Sequence, residues 1–297
     1  MDSHPPQTLI QPLVQPLISA DDLRVALAGS EAPLVIDTGF DLADTDAGER
    51  AWRDGHLPGS VYLHLERDLS GAKTAADGSF RGRHPLPDPA DFCATLARIG
   101  VTPGRPVVAL DRQGGVYAAR LWWMLRRAGH ADARVLDGGL EAWREVGGGL
   151  TDDSPPVAPA TVPYPECEPL QDLVEVERLA RSLGSFRLID ARAGERFRGE
   201  VEPIDPVAGH IPGALNRCFK DNLTAGGRFK PADILHAEFA PLVADRQVAD
   251  VVHQCGSGVT ACHNLLAMEH AGWHGSLLYP GSWSEWSADP ARPIARG

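Results

Sequence analysis

One set of landmarks occurs twice in this chain, in the same order, and that duplication constrains the fold more than any other feature. In the first half, Leu34-Val35-Ile36-Asp37 leads to Gly55-His56-Leu57-Pro58-Gly59-Ser60; in the second, Leu188-Ile189-Asp190 leads to Gly209-His210-Ile211-Pro212-Gly213-Ala214. The run Val107-Val108-Ala109-Leu110-Asp111 then matches Val251-Val252-His253-Gln254-Cys255, and a helical pattern follows each, from Tyr117 to Ala128 and from Thr260 to Ala271. Last, Leu136-Asp137-Gly138-Gly139 through Trp143 matches Leu278-Tyr279-Pro280-Gly281 through Trp286. Four landmarks in register indicate an internal duplication. Between the copies, residues 147–165 are rich in Gly and Pro, which sustain neither a helix nor an interior strand, and read as a linker. The expected organisation is an N-terminal domain over 17–146, the linker over 147–165 and a C-terminal domain over 166–297.

Each half alternates short Val/Ile/Leu runs with helical segments. That alternation predicts an α/β fold: in each domain a mostly parallel central sheet with helices on both faces. Ligands of such sheets bind beyond the C-terminal ends of the strands. Cys255 stands at one such end, followed by Gly256-Ser257-Gly258-Val259-Thr260 and a helix start. Glycines let successive N–H groups converge on one centre, and a helix N-terminus adds positive potential. Both favour a thiolate, so Cys255 is expected to be nucleophilic near neutral pH. The plain alternative is an inert thiol buried at a strand end. The equivalent position in the first half holds Asp111, which cannot carry a sulfur atom, so only the second half is expected to do chemistry.

Charge and cysteine use narrow the class. A net charge of −12 argues against nucleic acid or an anionic membrane as partner. No apolar run is long enough to span a bilayer, and Met1-Asp2-Ser3-His4-Pro5-Pro6 lacks the basic and apolar regions of a secretion signal. The five cysteines, at 93, 167, 218, 255 and 262, have no compact spacing and read as reduced thiols of a cytoplasmic protein. Cys255 and Cys262-His263 lack the spacing of a zinc site, and no metal or other cofactor is expected. His130, His236 and His274 are expected at the surface, and Cys262 in the core.

The Gly-His-Ile-Pro-Gly-Ala stretch, the Cys255 loop and Gly281-Ser282-Trp283-Ser284-Glu285-Trp286 together resemble the tandem rhodanese-type sulfurtransferases, from about Leu17 to Trp286. The resemblance implies two rhodanese folds, an inactive first and an active second, with the site between them. It implies transfer of a sulfane sulfur through a Cys255 persulfide to a thiol or cyanide. Thiosulfate enzymes of this family carry Arg-Lys after the cysteine and mercaptopyruvate enzymes carry Gly-Ser, as Gly256-Ser257 do here. The implied donor is therefore 3-mercaptopyruvate; thiosulfate with cyanide, or a non-enzymatic persulfide carrier, are the alternatives. A small thiol or a thioredoxin-like protein is the implied acceptor. A phosphatase of the same fold would need an arginine after five further residues, where this chain has Ala261.

By the same resemblance Ser257, His84 and Glu66 form a Ser–His–carboxylate relay, with His64 a neighbouring candidate. Arg196, in Arg192-Ala193-Gly194-Glu195-Arg196-Phe197, matches the arginine that receives the donor's carboxylate, while Gly256, Gly258, Val259 and Thr260 line the donor site. Asp190 and Arg192 read as a structural ion pair, and Arg198 as solvent-facing. Mercaptopyruvate enzymes carry a second arginine after a Glu-Pro step. This chain reads Glu202-Pro203-Ile204-Asp205, and Arg112 is the candidate stand-in.

Overall fold

The computed structural model describes residues 14–153, 160, 163–165 and 172–297. Cys167 and part of the 147–165 stretch lie outside the described residues. The first half runs β1 (Leu17–Ile18), α1 (Ala20–Leu27), β2 (Leu34–Asp37), α2 (Ala47–Asp54), β3 (Val61–Tyr62), α3 (Pro89–Arg98), β4 (Val107–Leu110), α4 (Ala118–Arg127), β5 (Ala133–Leu136) and α5 (Gly139–Glu145). The second runs α6 (Val176–Arg181), β6 (Arg187–Asp190), α7 (Gly194–Phe197), β7 (Leu215–Asn216), α8 (Ala232–Val243), β8 (Val251–Gln254), α9 (Thr260–His270), β9 (Leu277–Leu278) and α10 (Ser282–Trp286).

The first sheet has the order β1-β5-β4-β2-β3 and the second β7-β6-β8-β9. All named strand pairs are parallel. Leu173 pairs in parallel with Leu278 and so takes in the second sheet the place that β1 holds in the first. The duplication thus extends to strand order. Central strands β2, β4 and β8 are buried at all four positions, because helices cover both faces and leave no polar side to alternate. In register, Asp37 lies opposite Leu110 and Asp190 opposite Gln254. Asp111 and Cys255 are therefore the first residues past the ends of β4 and β8.

Helices α4 and α9 follow these two residues and pack against each other across the halves. Ala118 to Leu125 and Ala261 to Met268 are buried on every side, since each helix has its own sheet on one face and the other helix on the opposite face. Leu121, Leu125 and Leu266 are wholly buried there, each contributing about 2 kcal/mol of apolar burial. One core therefore runs through both halves. Each half also sends a bridged loop into its neighbour. The Thr74–Phe80 loop brings Arg83 and His84 to the Cys255 side; the Leu223–Phe229 loop sets the Phe229 N–H on the Asp137 carboxylate at 2.8 Å.

His130 departs from its expected surface position. It is buried, and its Nδ1 lies 3.0 Å from the Tyr164 hydroxyl, so a residue after the linker's start covers the turn that follows α4. His236 and His274 are exposed as expected; His236 stacks on Trp273 and His274 pairs with Glu269. Among the described residues, no helix is long and apolar enough to cross a membrane.

Candidate active site

The backbone of the loop after β8 is fixed from behind. The Cys255 N–H donates to Ser282 Oγ at 3.1 Å. The carbonyls of Cys255 and Gly256 accept from the N–H groups of Trp283 and Ser284, at 3.0 and 2.9 Å. Gly258 adopts φ +78°, and a Cβ there would fall 2.3 Å from the Pro280 carbonyl oxygen, so only glycine fits. With the carbonyls tied back, the N–H groups of Gly256 through Thr260 find no acceptor among the described residues. Such unpaired N–H groups are what an anion cradle of the kind expected from the glycine pattern requires.

Cys255 is 2% exposed and lies in a cavity of about 720 Å³ between the two halves. Gly256, Ser257, Val259 and Thr260 line it with Cys255. Gly258 turns toward Pro280 instead; its carbonyl accepts from the Cys262 thiol at 3.4 Å. Cys262 is wholly buried, and burial pushes its thiol up to about 12, as suits an inert packing residue.

The three relay residues meet across the interface. The Ser257 hydroxyl is 2.8 Å from His84 Nδ1, and His84 Nε2 is 3.7 Å from Glu66 Oε1. Glu66 is partly exposed and also takes a hydrogen bond from Lys73 at 3.1 Å. Burial, reinforced by Arg120, Arg83 and Lys73, lowers His84 to about 3. The ring is therefore neutral at physiological pH, which leaves its Nδ1 able to accept a hydrogen bond from the Ser257 hydroxyl. His64 does not join them: its Nδ1 accepts from the Glu66 and Arg67 N–H groups and its Nε2 meets the Thr45 carbonyl oxygen.

Four arginines surround the relay and sort by partner. Arg192 is buried in a fork with Asp190, with its guanidinium 4.9 Å from the Trp283 ring, so Trp283 belongs to the core beneath the site. Arg196 lines the cavity and pairs with Glu202 at 2.7 Å and Asp205 at 3.3 Å. Arg83, from the first half, also lines the cavity and pairs with Asp205. Arg120, on α4, is wholly buried and donates to the carbonyls of Leu69, His84, Pro85 and Gly258, tying the His84 segment to the cysteine loop. Arg112 is not a stand-in for the missing arginine. It points into the first half, bonding Asp37 at 2.6 Å and the carbonyls of Ala51 and Gly55. Arg198 is exposed and pairs with Glu200.

Sequence reasoning missed Arg83, Asp205 and Arg120. The only available signal was the adjacency of Arg83 to His84 and the carboxylate standing in the expected arginine's run. Among the described residues, no cluster of His, Cys, Asp and Glu could hold a metal ion.

The family model for a rhodanese-like domain matches twice, over residues 19–146 and 174–289. A Pseudomonas aeruginosa protein described as a "Probable 3-mercaptopyruvate sulfurtransferase" is 45% identical over 284 residues, covering 95% of this chain and 98% of the relative. A thiosulfate sulfurtransferase of Mus musculus is 31% identical over 300 residues, covering 98% of this chain and 97% of the relative. Among solved structures, that of SseA from Escherichia coli, described as a 3-mercaptopyruvate sulfotransferase, superposes with a TM-score of 0.76 at 29% identity. It covers 91% of this chain and all of the other.

Proposed function

The chain belongs to the rhodanese-like family, and on that premise we propose that it is a sulfurtransferase whose donor is 3-mercaptopyruvate and whose chemistry is carried by the second half. The observation that carries this reading is the Ser257–His84 contact of 2.8 Å beside Cys255, assembled from opposite halves. A donor whose thiol must lose a proton and whose carbon must gain one needs such a relay. Thiosulfate, which has no carbon to protonate, does not.

In the proposed reaction the Cys255 thiolate attacks the donor's sulfur. An S–S bond forms, the C–S bond breaks, and its electron pair passes to carbon as the enolate of pyruvate. The donor's thiol proton moves through Ser257 to His84, which Glu66 steadies, and returns to the enolate carbon. The cradle N–H groups of Gly256 to Thr260 hold the negative persulfide. Arg196 fixes the donor's carboxylate through its planar fork. A small thiol or a thioredoxin-like protein thiol then takes the outer sulfur and restores the Cys255 thiolate. Cys218, Cys255 and Cys262 are free thiols, which supports a reducing, cytoplasmic setting.

The test compares kcat/KM for 3-mercaptopyruvate and thiosulfate on the purified protein, with cyanide as common acceptor. A preference of about tenfold or more for mercaptopyruvate is expected; a preference for thiosulfate overturns the donor assignment. Loss of pyruvate release in Arg196→Ala, with protein-to-protein sulfur transfer intact, would instead favour the carrier reading.

A further inference from the structure

Where a second donor-binding arginine was expected, after Glu202-Pro203, stands Asp205. Asp205 is buried, and its two carboxylate oxygens meet two different guanidiniums: Oδ1 that of Arg83 and Oδ2 that of Arg196. The two arginines come from opposite halves and converge on one spot. A Cβ built on Gly256 would lie 2.8 Å from Arg83 Nη2 and 3.6 and 3.7 Å from Arg196 Nη1 and Nη2. Gly256 is the residue next to Cys255, so both guanidiniums overlook the place where a donor must sit. Arg83 is held there by its backbone, whose N–H donates to Ser284 Oγ at 3.1 Å. Its Nε is buried and has no hydrogen-bond partner among the described residues, although buried guanidinium donors are ordinarily satisfied.

We infer that Arg83, reaching across from the first half, is the second arginine of the donor site, and that Asp205 occupies the arginine pair until the donor's carboxylate displaces it. The inference rests on the 3-mercaptopyruvate reading. It gives the glycine at position 256 a role: a side chain there would push the Arg83 guanidinium aside. It also explains how the chain dispenses with an arginine after Glu202-Pro203. The charge has moved to the other side of the cleft, and a carboxylate has taken the vacated position to pair with it. Three guanidiniums at the site meet carboxylates: Arg83 and Arg196 share Asp205, Arg196 also meets Glu202, and Arg192 meets Asp190. The pocket therefore suits one incoming carboxylate that exchanges with Asp205.

The test measures discrimination between two donors, 3-mercaptopyruvate and its carboxylate-free analogue mercaptoacetone, as the ratio of their kcat/KM values. In Arg83→Ala that ratio should fall about 10- to 100-fold, with the change in the mercaptopyruvate KM, because a charge-assisted contact to the carboxylate is lost. Arg83→Lys should lose less, keeping the charge without the fork. The reciprocal variant, Arg83→Asp with Asp205→Arg, should recover part of the ratio. A merely structural ion pair would lower both donors' rates together and leave the ratio in place, and that result overturns the inference. If Arg83→Ala does not fold, the ratio in Arg83→Lys and in the reciprocal variant decides the matter. A wild-type protein that does not favour mercaptopyruvate over mercaptoacetone would defeat the donor reading itself.

Discussion

After β4, the carboxylate of Asp111 gathers the N–H groups of Gln113, Gly115, Tyr117 and Ala118 at 2.8 to 3.1 Å. After β8, at the equivalent point of the duplication, the N–H groups of Gly256 through Thr260 find no acceptor among the described residues. Both loops lie in front of a helix, but one supplies its own anion while the other leaves its N–H groups unpaired, which on the proposed function serves a sulfur anion. The helices behind them add a second contrast. From α4, Arg120 puts a full cation against the Gly258 carbonyl oxygen; from α9, His263 meets the Gly114 carbonyl oxygen at 3.0 Å. Burial lowers His263 to about 4, so that ring is neutral. The silent loop is thus satisfied and faced by a neutral group. The live loop is unsatisfied and faced by a charge. On the proposed function, the difference between the two copies comes down to which loop keeps N–H groups without an internal acceptor.

Matched truncations give the sharpest separation. Cys255→Ala should abolish sulfur transfer from any donor, a loss of more than about 10³-fold, with little change in denaturation midpoint. Asp111→Ala should do the reverse. It strips four N–H groups of a buried ionic acceptor and should cost about 3 kcal/mol or more in chemical denaturation, while kcat per folded molecule stays near wild type. An Asp111→Ala protein with unchanged stability would mean that the silent cradle does not depend on its carboxylate.

Asp111 also marks how far the sequence could be read. The duplication, the parallel sheets and the cysteine at a strand end all follow from spacing and periodicity, which the backbone obeys directly. That Ser257, His84 and Glu66 would meet came only from the family resemblance, because 173 residues separate the first two. Side-chain direction across the interface was not legible at all. Arg112 and Arg83 are both arginines beside candidate positions, yet the first turns back to Asp37 and the second crosses to Asp205. Nothing in local periodicity separates them; the docking of α4 on α9 does. His130 was misplaced for the same reason, since Tyr164, which covers it, is distant in sequence.

Protons offer a second way to tell the two sides apart. His84 and His253 are lowered to about 3 and His263 to about 4, all chiefly by burial, against an ordinary value of 6.5. Their folded values are depressed, so below 6.5 the unfolded chain binds protons that the folded chain refuses. The stability these rings contribute is complete above about 6.5 and is lost as pH falls toward 4. Three such groups give a slope of about 4 kcal/mol per pH unit within that window. Denaturation curves at pH 7.5 and 5.5 should separate accordingly. His263→Gln should remove about a third of the slope and leave turnover intact, since His263 serves the silent loop. A variant that kept the full slope would show that His263 already carries its proton in the folded state.

The smallest expected effect tests the comparison most directly, by giving the live loop the silent loop's anion. In Cys255→Asp the new carboxylate arrives at the mouth of a cradle whose N–H groups have no acceptor, held in place by the bonds from Trp283 and Ser284 to the loop carbonyls. The variant cannot transfer sulfur. If the cradle is the same device in both halves, the carboxylate should settle into it as Asp111 does, and the inactive protein should exceed Cys255→Ser in stability by about 1 kcal/mol. The gain should be smaller than the loss in Asp111→Ala, for two reasons. The live loop, Gly256 to Val259, is shorter than Arg112 to Tyr117 and offers a carboxylate fewer well-placed donors. Asp205 and Glu202 also put negative charge on the same side of the cavity. Equal or lower stability than Cys255→Ser would mean that the live loop's N–H groups do not converge on the position of the sulfur, and that the likeness between the loops stops at the path of the backbone.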